Sequence, residues 1–378
     1  MSNIKIIAFY SKDNNRGPSF LAASNKLDYI IKCFSLLGHS VEVLSLSTIS
    51  NTSKCLTEKK VQLNESVVIK YPKAFPVNNI MQRFFRKAVN KGIINNFLKK
   101  NIDNGDLIYI YHSEVDHLLL KRIVKKKRAK IILEIEEIYG DVSNNKKLVN
   151  NEIRFFNFAD AYVFPTILLN NKINHSNKPY IIIHGTYDVP KRSVDKFDDG
   201  KIHCVYAGTF DVRKGGALAA LNSIPFLKDN YCIHILGFGN KSDTNTVINR
   251  IQDLNKTYGA NAVFEGLKTG DEFLSFIQKC QIGLSTQNPC GEYNDTSFPS
   301  KVLSYMANGL IVVSVRIPVV ETSDVSKCVV FAKSNSGKDI ADAIMRVDLS
   351  GNPDCQRLIA DLNDLFIKKM RIFLDEVF

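Results

Sequence analysis

Short apolar runs alternate with amphipathic stretches along the whole chain. Ile4–Tyr10 reads as a strand buried on both faces, followed by a polar loop at 11–19. Phe20, Leu21, Leu27, Ile30, Ile31, Phe34 and Leu37 then recur at helical spacing, and Gly38-His39 ends that helix. Val41–Leu44 follows as a second strand, so the segment is a βαβ unit with its loop at the carboxyl end of the first strand. Leu107–Tyr111, Ile131–Ile135, Ala161–Phe164 and Tyr180–Ile183 read as further strands. The pattern restarts at strand His203–Tyr206, with loop Ala207–Gly216 and a helix over Ala217–Ile224. Strand Tyr231–Leu236, a Gly237–Gly239 loop, and strands Ala262–Phe264, Ile282–Ser285 and Ile311–Ser314 complete it.

Strands alternating with helices predict an α/β chain of two Rossmann-like domains, each a doubly wound parallel sheet, facing a central cleft. The predicted boundaries are 1–190, a polar linker at 191–200 with Gly200 at its end, and 201–360. A helix over 361–378 is expected to cross back to the first domain. Ligands of such sheets bind outside the carboxyl ends of the strands. No internal repeat of short period and no low-complexity tract occurs.

The 378 residues are 45% hydrophobic and 23% charged, which excludes a disordered or collagen-like chain. No run approaches the ~20 apolar residues of a membrane-spanning helix, and the N-terminus is too short and too β-prone for a signal peptide. A cytoplasmic protein is expected. The eight cysteines are scattered, with no Cys-x-x-Cys pair, so no zinc site is expected. The charge of +12 is unevenly placed: residues 1–190 hold 28 Lys and Arg against 16 Asp and Glu, while 191–378 hold 22 of each. The first half is therefore the one suited to an anionic partner: nucleic acid, lipid headgroups or a phosphate-bearing substrate.

Three loops carry candidate chemistry. Ala207–Gly216 joins a strand to a helix and contains Arg213 and Lys214. It fits either a diphosphate cradle at a helix N-terminus or a solvated loop with incidental charge. Leu236-Gly237-Phe238-Gly239 lacks the third glycine of a dinucleotide fingerprint and reads as a tight turn. Asn294–Gly309 is the most specific. A polar loop breaks into a helix near Pro299, Val302, Leu303 and Met306 form its buried face, and Gly309 ends it. Ser297, Ser300 and Lys301 surround that helix start as an anion site.

The order of these loops, with Phe264-Glu265-Gly266-Leu267 between the last two, resembles the donor domain of GT-B glycosyltransferases. The similarity is closest to family 4, in the branch that builds bacterial capsules and O-antigens. It covers about 202–345. In the first half Arg16-Gly17-Pro18 looks like the family's glycine loop, and His184–Asp188 like its signature before the linker. The resemblance implies that Gly17, Thr209, Arg213, Lys214, Ser297, Ser300 and Lys301 meet the donor diphosphate. Thr209 stands where the family has an arginine, and Arg213 is expected to take over. It further implies that Gly237, Phe238, Gly239, Leu267 and Ser304 lie at the nucleotide, and Asp295, Thr296 and Phe298 at the donor sugar. The family's two glutamates, seven residues apart, are replaced here by Thr296 and Ser304.

In the first half, Lys130–Asp141 is a strand whose end bears Glu136 and Glu137. The family has a histidine near Glu136, and a carboxylate there suits orientation or deprotonation of an acceptor hydroxyl. Glu137 is expected to cap the next helix. His112 and Glu114, after strand Leu107–Tyr111, occupy a similar rim. The basic stretches Arg83–Lys100 and Lys121–Lys130 fit a membrane-surface patch or a helix with a solvated basic face equally well.

The expected function is transfer of a sugar from a UDP- or GDP-linked donor to a glycan or lipid-linked glycan, with retention of configuration implied by the resemblance. No Asp-x-Asp occurs, so no metal or other cofactor is expected at the diphosphate. Localisation on the inner face of the cytoplasmic membrane is the accompanying expectation. The rival readings are a nucleotide-sugar 2-epimerase and a basic nucleic-acid-binding protein. The second is disfavoured because the basic stretches lack the aromatic spacing of a stacking platform, and no nucleic-acid partner is expected.

Overall fold

A computed structural model describes residues 3–17, 20–49, 54–76, 80–112, 117–143, 145–259, 261–291, 294, 296–350 and 354–377. The chain divides into two compact units, 1–183 with 366–378, and 184–365. Sheet and core are complete within each.

Unit 1 contains β1 (Asn3–Ala8), β2 (Ser40–Ser45), β3 (Lys59–Asn64), β4 (Val67–Tyr71), β5 (Leu107–Tyr111), β6 (Lys130–Glu134), β7 (Ala161–Phe164) and β8 (Tyr180–Ile182). They form one sheet in the order β3-β4-β2-β1-β5-β6-β7-β8, parallel throughout except for β3 against β4. Its helices are α1 (Leu21–Leu36), α2 (Ile80–Asn101), α3 (His117–Lys127), α4 (Tyr139–Val142), α5 (Lys146–Phe156) and α6 (Ile167–Ile173). Strand residues Ile7, Ile108 and Leu133 pack with Phe97 and Leu98 of α2, Val124 of α3, and Phe155 and Phe156 of α5.

Unit 2 contains β9 (Ile202–Thr209), β10 (Tyr231–Phe238), β11 (Ala262–Gly266), β12 (Ile282–Ser285), β13 (Ile311–Ser314) and β14 (Val329–Phe331). All are parallel, in the order β11-β10-β9-β12-β13-β14. The helices are α7 (Gly216–Leu221), α8 (Lys241–Tyr258), α9 (Gly270–Lys279), α10 (Lys301–Ala307), α11 (Pro318–Glu321) and α12 (Gly337–Met345), while α13 (Cys355–Val377) starts in unit 2 and belongs to unit 1 from residue 366 on. Ile233, Ile235 and Leu284 pack with Ala220 of α7, Val247 and Ile251 of α8, and Ile340 and Ala343 of α12.

The central strands read from the sequence are present within one to three residues at either end. Two differences have physical causes. β3, Lys-Lys-Val-Gln-Leu-Asn, is an exposed edge strand, so the packing that makes an apolar run is missing; its paired lysines blunt the edge. The Gly237–Gly239 segment is not a tight turn: β10 continues through Phe238, with Gly237 paired to Gly208 and Phe238 to Thr209. The 191–200 segment is held by unit 2 rather than loose. Ser193 N–H donates to Gln278 (2.9 Å), and Phe197 N–H to the Lys279 carbonyl (3.0 Å).

α2 and α3 explain one ambiguity of the basic stretches. In their described parts the apolar residues turn inward: Ile93, Ile94, Phe97 and Leu98 on α2, and Leu120, Ile123 and Val124 on α3, are buried. Lys121, Arg122, Lys125 and Lys126 face solvent. Both helices are thus ordinary amphipathic elements covering a sheet. The side chains of Arg83–Lys87 lie outside the described residues.

Candidate functional site

In unit 2 the carboxyl ends of β9 and β10 approach so closely that only glycine fits. A Cβ on Gly237, whose φ is +139°, would stand 1.8 Å from the Gly208 carbonyl oxygen, and one on Gly239 2.6 Å from that of Phe210. These two glycines therefore seat one strand end on its neighbour, which accounts for them without a dinucleotide. Tyr206 anchors the same edge. Its ring lies where a Cβ on Gly216 would collide, at 2.6 Å from the hydroxyl, and Lys301 Nζ stands 4.0 Å from the ring centroid. The Lys301 ammonium is also 3.0 Å from the place of a Gly208 Cβ, so it covers the bare backbone of that loop. It makes no ion pair among the described residues. Ser297 Oγ is shielded from solvent with no hydrogen-bond partner there. Tyr305 OH accepts the Ala207 N–H (2.7 Å) and fixes the strand end from beneath.

The other donor-side candidates are distributed unevenly. Lys214 is exposed on the same loop, its carbonyl held by Asn288 N–H (2.8 Å), with Gly215 at φ +66° starting α7. Arg213 folds back instead onto Asp211 (3.0 Å), its side chain 89% exposed, so the cation expected to replace the family arginine is already engaged. Thr209 and Ser300 are exposed, and Thr296 and Ser304 half-buried. Phe298 is a correction: it is buried, its ring stacked on His184 at 4.5 Å, and supports the His184-Gly185 stretch rather than offering a face to a sugar. Phe238, the last residue of β10, and Leu267, just past β11, are exposed apolar side chains. Asp295 lies outside the described residues.

Unit 1 holds a charge cluster that the sequence reading missed. Lys26 of α1 is buried and forms ion pairs with Glu136 and, at 3.0 Å, with Glu134. The second is a close charge contact rather than a directed hydrogen bond. Glu134 ends β6, is wholly buried, and accepts the Tyr109 hydroxyl proton (2.6 Å). Burial pushes its carboxyl up to about 7, Lys26 opposes that, and the charge of Glu136 adds to it. Burial by itself lowers the Lys26 ammonium, but Glu136 and Glu134 together carry it above the ordinary lysine value. The signals were present: a carboxylate closing an apolar strand, and a lysine spaced at i, i+4 and i+7 with the buried Ile30 and Cys33 of α1.

The remaining unit 1 candidates are corrected in part. Glu136 is half-exposed and bound to Lys26, not a free carboxylate. Glu137 does not cap α4: Ile138 is the N-cap, and buried Glu152 accepts the Tyr139 and Gly140 N–H groups (3.1 and 2.7 Å). His112 is not on a rim. It is 2% exposed, between Tyr139 and Phe156, with Nε2 3.4 Å from Glu152. Glu114 lies outside the described residues. Gly17 is buried and its carbonyl accepts the Thr48 N–H (2.7 Å). Arg16, buried beside it, donates to the carbonyls of Pro72 and Thr57 (2.7 and 2.9 Å) and so braces the loop.

Strand pairing brings Cys232 and His234 of β10 onto one face with His203 of β9, and their ligand atoms lie within 4.8 Å of one another.

No protein-family model and no curated protein matches the chain. Solved structures do. The apo structure of OtsA is 12% identical with a TM-score of 0.68, covering 100% of this chain and 99% of that one. A sucrose-phosphate synthase from Thermosynechococcus elongatus is 12% identical with a TM-score of 0.68, covering 99% and 97%. A trehalose-6-phosphate structure from E. coli bound with UDP-2-fluoro glucose is 10% identical with a TM-score of 0.67, covering 100% and 99%. This chain thus has the GT-B fold, and at such identity the likeness carries the fold alone.

The Glu134 cluster gives a pH signature. The folded chain holds the Glu134 proton to about pH 7, whereas an ordinary glutamate releases it near 4.5. Folding therefore takes up a proton between those values, and this contribution to stability falls as pH rises through them. Urea midpoints measured from pH 5 to 8 should show wild type losing stability relative to Glu134→Gln, by up to about 3 kcal/mol. A constant difference would mean that Glu134 is ionised throughout.

Proposed function

We propose that the chain is a glycosyltransferase that moves a hexosyl group from a UDP- or GDP-linked donor to a glycan or lipid-linked glycan. The observation that carries this is Lys301: an ammonium without a carboxylate partner among the described residues, set over a glycine backbone at the carboxyl edge of a GT-B sheet. Parallel sheets receive ligands at that edge. With exposed Lys214 on the facing loop and the Ser297 hydroxyl, which has no hydrogen-bond partner among the described residues, the edge offers two cations and a donor to one anion.

When the bond between the anomeric carbon and the diphosphate oxygen breaks, negative charge collects on that oxygen. Lys301, held over the Tyr206 ring, and Lys214 on the exposed loop stabilise that charge electrostatically. On this reading no divalent ion bridges the diphosphate. Leu267 and Phe238 supply apolar surface for a base. The similarity of the Phe298–Gly309 block to family 4 sequences favours retention and a role in capsule or O-antigen assembly. The trehalose- and sucrose-phosphate synthases among the structural neighbours favour sugar transfer over epimerisation. In unit 1, Glu136, two residues past the end of β6, has its carboxylate oriented by Lys26, and it orients or deprotonates the acceptor hydroxyl. The exposed cations of α3 suit the anionic surface on which a lipid-linked acceptor resides, at the inner face of the cytoplasmic membrane.

Calorimetry with UDP and GDP tests the donor site. Lys301→Ala and Lys214→Ala should each weaken binding of the preferred nucleotide roughly ten- to a hundredfold, since a hydrogen bond to a charged group contributes about 1.5–3 kcal/mol. Unchanged dissociation constants would remove these lysines from the site. Glu136→Gln should leave nucleotide binding intact while transfer drops by roughly 10²–10⁴, and Glu137→Gln should transfer normally. Reversal of those two results would move the acceptor group to Glu137. Co-sedimentation with anionic vesicles should fall steeply as salt rises; equal binding to neutral vesicles would exclude electrostatic docking.

A further inference from the structure

The chain Asp199–His203–His234–Glu265 crosses the first half of the unit 2 sheet. His203 Nε2 is 2.9 Å from Asp199 Oδ1, and His234 Nδ1 is 2.9 Å from Glu265 Oε1. Between the rings, His203 Nδ1 and His234 Nε2 are 2.8 Å apart. The imidazoles are nearly coplanar, at 19°, and Phe197 lies against both.

Counting protons exposes a conflict. An ionised carboxylate only accepts, so each imidazole must carry its proton on the outer nitrogen. Asp199 stands at the outer nitrogen of one ring and Glu265 at that of the other, with Lys268 3.6 Å from the second oxygen of Glu265. A neutral imidazole has only one proton. The two inner nitrogens are then both lone pairs, pointed at each other at hydrogen-bond distance. Something positive belongs between them. A single shared proton would serve, but the surroundings offer more than a proton needs. Cys232 is the cross-strand partner of His203 and lies two residues before His234, so its sulfur is on the same face. All three ligand atoms fall within 4.8 Å.

We propose that His203 Nδ1, His234 Nε2 and Cys232 Sγ bind one zinc ion. Two nitrogens and a sulfur suit zinc, with bonds of about 2.0–2.1 and 2.3 Å. Tetrahedral coordination sets the nitrogens roughly 3.3 Å apart, so the rings need part by only about 0.5 Å. Asp199 and Glu265 already hold the outer N–H groups in the carboxylate–histidine–metal arrangement that orients such ligands. The charge balances: zinc enters as the proton between the rings and the thiol proton leave, two charges for two. The fourth position is left to water. The site ties β9, β10 and the 191–200 segment together away from the carboxyl edge, so its role is structural and separable from the proposed transfer.

The test uses the full chain with Cys55 and Cys290, its exposed thiols, changed to Ser, prepared under reducing conditions and stripped of metal. Cobalt(II), then zinc, is titrated in. The expected result is one ion per chain, thiolate-to-cobalt charge-transfer absorption, about two protons released per ion, and a raised melting temperature. C232S should lose the charge-transfer band while keeping weaker visible bands from the imidazoles. D199N alters only a half-exposed partner and should fold normally, yet bind zinc about ten- to a hundredfold more weakly. Overturning results are no one-to-one uptake, a charge-transfer band that survives C232S, or a D199N affinity equal to wild type. The first would assign the gap between the rings to a shared proton.

Discussion

A parallel strand covered on both faces has no room for polar side chains except near its ends, and the chemistry of this chain is arranged around that constraint. At the carboxyl edge of unit 2 the constraint is tightened further, because β9 and β10 run side by side past the point where side chains could separate them. Gly237 and Gly239 make that approach possible, and the bare Gly208 leaves room for the Lys301 ammonium. The space they leave is what allows a lysine from another loop to stand over open backbone. Substituting any of them would act first on the strand ends and only then on whatever binds there.

Charges inside the sheets follow a second rule: a buried ion persists only with partners. Lys26 has two carboxylates, and Lys5 of β1 likewise lies 2.9 and 2.8 Å from Asp103 and Asp106. The imidazoles of unit 2 each have a carboxylate. In every case the partner comes from a separate element, so the pairing also fixes how a helix or loop sits on the sheet. Removing Lys26 would leave buried Glu134 beside Glu136 with no cation, typically a loss of about 3–5 kcal/mol.

Period and composition made the parallel strands legible, because an apolar run of four to six residues between helical stretches has few other readings. Lys59–Asn64 was illegible for the opposite reason: an edge strand needs no apolar face. Within the site, Lys214, Ser297 and Lys301 were legible from loop position. Arg213 was not, since only the fold shows that Asp211 claims it. Phe298 and His112 looked like ligand-facing groups because sequence carries no depth, and both are buried against other rings. Lys26 with Glu134, and His203 with the Cys232–His234 pair of β10, stayed hidden because they are far apart along the chain and meet only through the sheet.

The two hidden clusters share a mechanical consequence. Each lies on a strand whose far end carries candidate chemistry: Glu134 is two residues before Glu136, and His203 five before Gly208. A one-residue slip of β6 or β9 would turn the charged residue to the wrong face and strand it without its partner. Apolar strands tolerate such slips poorly, and a strand with an internal charge tolerates them worse, since the slipped state must desolvate an unpaired ion. The charges therefore set register where position matters most. That makes it intelligible that residues costly to bury sit in the cores of both sheets, next to the edges that need the most accurate placement.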